Sequence, residues 1–280
     1  MAFEIGTASA GDVLLMAEWA AAENWNPGLT DAQAFVLADP CGFLVGRLDG
    51  EPVTCISVVR YGEAFGFLGM YITRPEARGR GLGYRTWQAG MARLTRRTVG
   101  LDGVPAQQDN YHRSGFDLAW TNLRFEGPAS DVEAPPEVRI VDARDIPFDQ
   151  LAAYDRRFFG APRDAFLVAW ISVPARSARV AVRHGEIVGC AVLRDAHAAS
   201  RVGPLFAADG SIALALVSFL ARERAAAAVA IDVPGVNETA FAWAEAAGWT
   251  PSFESARMYT GPAPEIDRGG LFGITSLELG

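Results

Sequence analysis

The chain has 280 residues, of which 50% are hydrophobic and 21% are charged, a composition typical of an ordinary folded protein. This length predicts about two domains, each large enough to bury a core without disulfides or structural metals. The net charge of −8 argues against a nucleic-acid partner and against binding to an anionic membrane, because both need a basic face. Such a charge would attract a cationic substrate.

The cysteines and the N-terminal residues give no sign of secretion or metal binding. Cys41, Cys55 and Cys190 match no metal-ligand spacing, and the last two lie in apolar runs typical of buried strands. The first residues lack the basic and apolar regions of a signal peptide, and no apolar run is long enough to cross a bilayer. We therefore expect a cytoplasmic protein that has no metal and does not contact membranes.

The first half of the chain predicts a mixture of strands and helices. The expected strands cover residues 3–8, 43–48, 53–60, 64–72, 98–101 and 116–125. The expected helices cover residues 10–22, 31–38, 82–96 and 108–113. A tight hairpin is expected at Asp49 and Gly50, where glycine supplies a positive φ. This order favours an α+β fold, an α/β three-layer sandwich in which a mixed, mainly antiparallel sheet is flanked by helices.

The second half repeats the first at a constant offset of 135 residues. Five identities keep this offset: Ile5 with Ile140, Gly50 with Gly185, Glu51 with Glu186, Val53 with Val188, and Cys55 with Cys190. The segment between the copies is rich in Pro, Gly, Ser and acidic residues, as a linker would be. The sequence thus predicts one domain over residues 1–126, a linker over 127–137 and a second domain over 138–280.

The motif RGRGLG, residues 78–83, has the features of a pyrophosphate-binding loop. It follows a predicted strand and leads into a helix, whose first N–H groups and positive dipole end attract anions. Its glycines allow the backbone to approach a ligand closely, and Arg78 and Arg80 add positive charge. A glycine-rich turn with surface arginines would look the same. The motif is neither a Walker A loop, since no Gly-Lys-Ser/Thr is present, nor a Rossmann fingerprint.

These residues resemble the GNAT superfamily of acetyl-CoA-dependent N-acyltransferases. Residues 78–83 match its [Q/R]-x-x-G-x-[G/A] signature, and Tyr111, four residues before Gly115-Phe116, resembles its later motif. The tandem layout is similar to a bacterial subgroup with two GNAT-like halves. The resemblance implies transfer of an acetyl group from acetyl-CoA, a cosubstrate, to a primary amine of a small molecule by direct attack.

The resemblance also implies a binding site for acetyl-CoA and a catalytic acid. The cosubstrate is expected to contact a strand backbone, the phosphate loop and a pantetheine-holding asparagine: Met70, Tyr71, Ile72, Thr73, Arg78, Gly79, Arg80, Gly81, Leu82, Gly83 and Asn110. Tyr111 is the candidate general acid, because a phenol with an ordinary pKa of about 10 can protonate a leaving thiolate. The alternative is that Tyr111 only packs on the sheet.

The general base and the acceptor contacts are less well defined. The predicted strand before the loop carries no carboxylate, which leaves Glu63 or a backbone-held water as the base. Glu23, Asn24 and Trp25 lie between the first two helices, where a carboxylate and a ring could receive a small cationic amine. The alternative is a helix terminator with a packed Trp.

The second half is expected to be a degenerate GNAT-like domain. It has no glycine-rich phosphate loop, and Asp209 places negative charge where a phosphate would bind. This half is expected to cover the active site of the first or to form a homodimer surface. Two other functions stay open, namely a non-catalytic acyl-CoA-binding sensor and a protein N-acyltransferase.

Overall fold

The computed structural model describes residues 2–280 and shows the same order of elements twice. The first half contains β1 (Phe3–Thr7), α1 (Ala10–Ala22), α2 (Asp31–Ala38), β2 (Phe43–Leu48), β3 (Glu51–Tyr61), β4 (Phe65–Thr73), α3 (Leu82–Arg93), β5 (Thr98–Gly103), α4 (Gln108–Arg113) and β6 (Asp117–Pro128). The second contains β7 (Val138–Asp142), α5 (Phe148–Phe159), α6 (Asp164–Ser172), β8 (Arg176–Arg183), β9 (Glu186–Arg194), β10 (Ser200–Ala207), α7 (Gly210–Arg224), β11 (Ala228–Pro234), α8 (Ala240–Ala246), β12 (Thr250–Tyr259) and a final β13 (Leu271–Gly273). The predicted repeat is confirmed.

Turn and cap residues explain several of these boundaries. The β2–β3 turn has positive φ at Asp49 and Gly50, as the hairpin prediction requires, and the β8–β9 turn has it at His184 and Gly185. At the start of α1, Ser9 and Asp12 form a reciprocal capping box. Local sequence therefore accounts for these chain reversals and for this helix start.

The two halves share one mixed sheet rather than building one sheet each. In the described residues the strand order is β1-β2-β3-β4-β5-β12-β6-β11-β10-β9-β8-β7, with β13 beside β10. Strand β12 of the second half thus lies between β5 and β6 of the first, and β6 pairs with β11. The predicted boundaries stay a prediction, although β6 extends past residue 126 to Pro128.

Strand β4 bends away from its neighbour β5 at a bulge. Met70 has a φ of 45°, and the pairing with β3 shifts register between Cys55 and Ser57. The parallel pairing of β4 with β5 ends where Leu68 meets Leu101. Beyond that point the two strands diverge, which opens a wedge in the sheet.

The C-terminal tail, residues 274–280, crosses from the second half onto β3 and β4. The hydroxyl of Tyr61 donates to the carbonyl of Leu279 over 2.9 Å, and that of Ser57 donates to the carbonyl of Glu278 over 3.2 Å. Arg163, in the second half, donates to the carbonyl of Gly280 over 3.0 Å. These bonds attach the tail to both halves beside the wedge. Within residues 2–280, no helix is both long and apolar enough to cross a bilayer.

Candidate active site

A cavity of about 360 Å³ fills the wedge between β4 and β5. Its walls come from the segment between α1 and α2, from β4, from β5 and the segment that follows it, from β12 and from the C-terminal tail. The polar or charged lining residues are Glu23, Tyr71, Thr73, Arg78, Asp102, Gln107, Tyr111, Ser255 and Glu278. Both halves of the chain therefore contribute to one site.

The four β4 residues that the sequence singled out, Met70, Tyr71, Ile72 and Thr73, all line this cavity. Their strand pairs with β3 on one side, whereas its pairing with β5 on the other side ends at Leu68. A strand edge without a partner can pair with the amides of an extended ligand, as an added strand would. The geometry fits the pantetheine arm of a coenzyme A thioester.

The loop at residues 78–83 has the conformation that its glycines predict. Gly79 and Gly81 have φ values of 73° and 74°, a region that favours glycine, and Gly81 is the N-cap of α3. A Cβ at Gly83 would overlap the Thr73 hydroxyl, so glycine lets α3 begin close to β4. The first turn of α3 contains no acidic residue, so its N–H groups can receive a phosphate. Leu82 is buried beneath this turn.

Two arginines extend from this loop. Arg78 lines the cavity, where its guanidinium donates to the carbonyl of Thr73 over 2.9 Å and to Glu23 over 2.5 Å. Arg80 is exposed beside the start of α3. Arg78 is therefore oriented by its neighbours before any ligand binds.

Tyr111 lies on the cavity wall, where neighbouring residues pack against its ring. Its ring stacks on Trp87 at 5.6 Å, and a Cβ at Gly103 would overlap it. Burial, with a smaller contribution from Tyr71, raises the pKa of Tyr111 to about 12. The phenol thus keeps its proton at neutral pH, as a proton donor must.

The other predicted contacts divide into those at the cavity and those away from it. Glu23 and Trp25 line the cavity, whereas Asn24 lines a separate groove. Asn110 is exposed, donates to Gln107 over 2.6 Å, accepts from Arg113 and is not a cavity-lining residue. The roles proposed for these side chains stay predictions.

Two further carboxylates line the cavity, Asp102 on β5 and Glu278 in the tail, and neither was among the predicted site residues. Asp102 receives two hydrogen bonds of 2.7 Å from Arg257 and one of 2.8 Å from Asn122. Burial raises its pKa, opposed by Arg257. An acidic residue in an otherwise apolar strand was a usable signal for Asp102.

No local pattern marked Glu278, because its backbone is held beside the cavity by Ser57, which lies 221 residues away along the chain. The candidate base that the sequence did suggest, Glu63, is exposed in the turn between β3 and β4 and does not line the cavity.

The corresponding helix start in the second half is already occupied by a side chain. Asp209, the N-cap of α7, accepts hydrogen bonds of 3.0 Å from the N–H groups of both Ser211 and Ile212. The ring of Trp243 packs against Gly210 and donates to its carbonyl over 2.9 Å. The Asp209 carboxylate therefore uses the N–H groups with which a helix start would hold a phosphate, and Trp243 packs beside them.

Family models match both halves of the chain. A model described as "Acetyltransferase (GNAT) family" matches residues 12–116, and one described as "Acetyltransferase (GNAT) domain" matches residues 151–273. A holothin acyltransferase from a Pseudoalteromonas species is 33% identical over 265 residues, covering 94% of this chain and 90% of that protein.

Solved structures share the fold over nearly the whole chain. A putative acetyltransferase from Pyrococcus horikoshii superposes with a TM-score of 0.82 at 20% identity, covering 99% of this chain and 96% of the other. A tandem GNAT protein from the clavulanic acid biosynthesis pathway superposes with a TM-score of 0.64 at 17% identity, covering 94% and 100%. With its two family matches and a 33% identical relative that it covers to 90%, this chain belongs to the GNAT family as a tandem acyltransferase.

Proposed function

We propose that the protein transfers an acetyl group from acetyl-CoA to the primary amine of a small molecule. The observation that carries this proposal is the cavity itself, which joins the β4 edge and Tyr111 to residues of the second half. A volume of about 360 Å³, bounded by both halves, suits an acyl group and a small acceptor better than a protein surface.

The donor would lie along β4 toward the loop at residues 78–83. Its pantetheine amides would form hydrogen bonds with the strand edge. Its pyrophosphate would accept hydrogen bonds from the first N–H groups of α3 and would pair with the positive charge of Arg78. The thioester carbonyl would then point into the wedge. Since the second-half helix start is capped by Asp209, one donor is expected per chain.

The chemistry requires one displacement at the thioester. A neutral amine attacks the carbonyl carbon, the C–N bond forms, and the C–S bond breaks. Tyr111 donates its proton to the departing thiolate, since its phenol stays protonated and lies on the cavity wall. No covalent intermediate with the protein is needed.

A small acceptor is favoured over a protein for two reasons. Phe253, Ser255 and the tail line the cavity, so the second half covers part of a site that a protein acceptor would need open. The 33% identical relative is named for holothin, rather than for a protein or nucleic acid. The net charge of −8 favours acceptors that carry a positive charge.

A thiol-release assay with acetyl-CoA tests this function. The acceptor panel contains polyamines, aminoglycosides, amino-acid amines and a basic peptide, and longer acyl-CoA donors are compared with acetyl-CoA. We expect turnover of at least one small amine. The chain contains no lysine, so acetylation of its own side-chain amines cannot create background. Turnover of the peptide alone would favour a protein acyltransferase, and donor binding without any turnover would favour a sensor.

A further inference from the structure

The three cavity carboxylates differ in their short-range partners. Glu23 forms an ion pair with Arg78, and Asp102 forms one with Arg257. Among residues 2–280, no arginine or histidine side chain approaches the carboxylate of Glu278 closely enough for an ion pair. Glu278 is nevertheless only 4% exposed. A buried carboxylate that forms no ion pair within the protein and lies on a cavity wall is suited to pair with a cationic group of a ligand.

The arginines that interact electrostatically with Glu278 are Arg124, Arg194 and Arg201, and each forms an ion pair with another carboxylate. Arg124 pairs with Asp232 over 2.8 Å. Arg194 lies 3.0 Å from Asp31, and Arg201 is bonded to Asp232. Arg194 and Arg201 still act on Glu278 at longer range, and Asp31 opposes them. Burial and then Asp31 raise the pKa of Glu278, which makes this carboxylate a stronger base than an exposed one.

The backbone of Glu278 is fixed at the point where the wedge opens. A Cβ on Gly69 would overlap the carbonyl oxygen of Glu278, and the Ser57 hydroxyl donates to the same oxygen. Gly69 directly precedes Met70, the residue at the bulge. The loop at residues 78–83 lies at the other end of the β4 segment that lines the cavity. Because that loop is expected to bind the pyrophosphate, Glu278 lies at the end where the thioester is expected.

From this placement we infer that Glu278 binds the ammonium group of the acceptor and removes the proton that must leave before attack. This inference rests on the proposed function. Glu278 takes one proton from the ammonium group, and the resulting neutral amine attacks the thioester. The nitrogen loses a second proton as the amide forms. This second proton restores the Tyr111 phenol, which has given its own proton to the thiolate. The products are an amide, free coenzyme A thiol and one proton released from Glu278 to solvent.

Replacing Glu278 by glutamine removes the charge and keeps the backbone contacts with Gly69 and Ser57. We expect Glu278→Gln to lower kcat/KM for the amine by roughly 100- to 10,000-fold, the range for loss of a general base. We expect Glu278→Asp to restore part of the activity. Acetyl-CoA affinity should not change, because the loop at residues 78–83 is untouched. The matched control is Glu254→Gln on β12, an exposed residue next to Phe253 and Ser255.

The pH profile separates a base from a merely structural group. Burial places the pKa of Glu278 above the ordinary glutamate value. Activity of the unmodified protein should rise with pH through this pKa, because only the ionised carboxylate can accept the proton. The Glu278→Gln variant should lack that rise. Binding of amines to the coenzyme A complex, measured by calorimetry, provides a readout without turnover and should weaken in Glu278→Gln.

Two outcomes would overturn the inference while leaving the proposed function intact. One is a Glu278→Gln variant that acetylates the amine with unchanged kcat/KM. The other is a raised KM with unchanged kcat and an unchanged pH profile, which would exclude proton removal by Glu278. If the unmodified protein neither binds nor acetylates any amine, the proposed function fails together with the inference.

Discussion

Gly81 and Asp209 occupy the same position in the two halves, since Gly81 immediately precedes α3, which follows β4, and Asp209 immediately precedes α7, which follows β10. Gly81 has a φ of 74°, and a Cβ there would meet no atom within 4 Å. Asp209 instead folds its carboxylate back onto the first N–H groups of α7. Although burial raises the pKa of Asp209, these hydrogen bonds keep it below the ordinary value, so the cap stays charged at neutral pH. In the duplicated fold, the start of α3 therefore carries no side-chain cap, whereas the start of α7 is closed by its own Asp209.

This difference predicts one acetyl-CoA per chain and a loss of binding in Gly81→Asp. The new side chain would strain a positive φ and place negative charge at the expected pyrophosphate position. Titration calorimetry measures both the stoichiometry and the affinity. The control is Gly50→Asp, which has the same kind of strain at a φ of 93° in a turn away from the cavity. Two comparable sites per chain would contradict the assignment.

Replacing the Tyr111 hydroxyl tests the proton donor. We expect Tyr111→Phe to lower kcat by roughly 10- to 1000-fold, because the proton donor is lost while the stacked ring keeps its contact with Trp87. Acetyl-CoA affinity should stay close to that of the unmodified protein. Steady-state kinetics with a turned-over amine measures this effect, and Tyr154→Phe, on α5 and not among the cavity-lining residues, is the control. An unchanged kcat would remove Tyr111 from the mechanism.

The contact between Gly69 and the tail predicts an effect of one added methyl group. Gly69→Ala would place its Cβ against the carbonyl of Glu278, so either the tail or β4 must move. We expect a loss of about 1–3 kcal/mol in the free energy of unfolding, typical of overpacking, together with reduced turnover. Urea unfolding measures the stability. Gly6→Ala on β1, where a Cβ meets no atom within 4 Å, should leave turnover unaffected.

The buried charges between the halves predict a large cost for removing one of them. Asp31 is fully buried and lies 3.2 Å from Arg176 and 3.0 Å from Arg194. Asp31→Asn leaves both guanidinium groups buried without their anion, which should lower the free energy of unfolding by about 3–5 kcal/mol. Denaturant titration measures the loss. The exposed Asp145→Asn should change stability by no more than about 0.5 kcal/mol.

The sequence alone was sufficient for the features that depend on neighbours along the chain. Hydrophobic periodicity located the elements, and the predicted helix at residues 10–22 agrees with α1 at both ends. Positive φ at Gly79 and Gly81 follows from glycine chemistry and from the start of a helix. The 135-residue repeat likewise predicted the duplicated order of elements.

Only the tertiary structure decided how the two halves combine. Periodicity gives the type of a strand but not its neighbour, so nothing local indicated that β12 lies between β5 and β6. The tail reaches the cavity through contacts such as Ser57 with Glu278, which are 221 residues apart. Glu278 gains its position from this long-range packing, and its altered acidity from the burial that the packing produces.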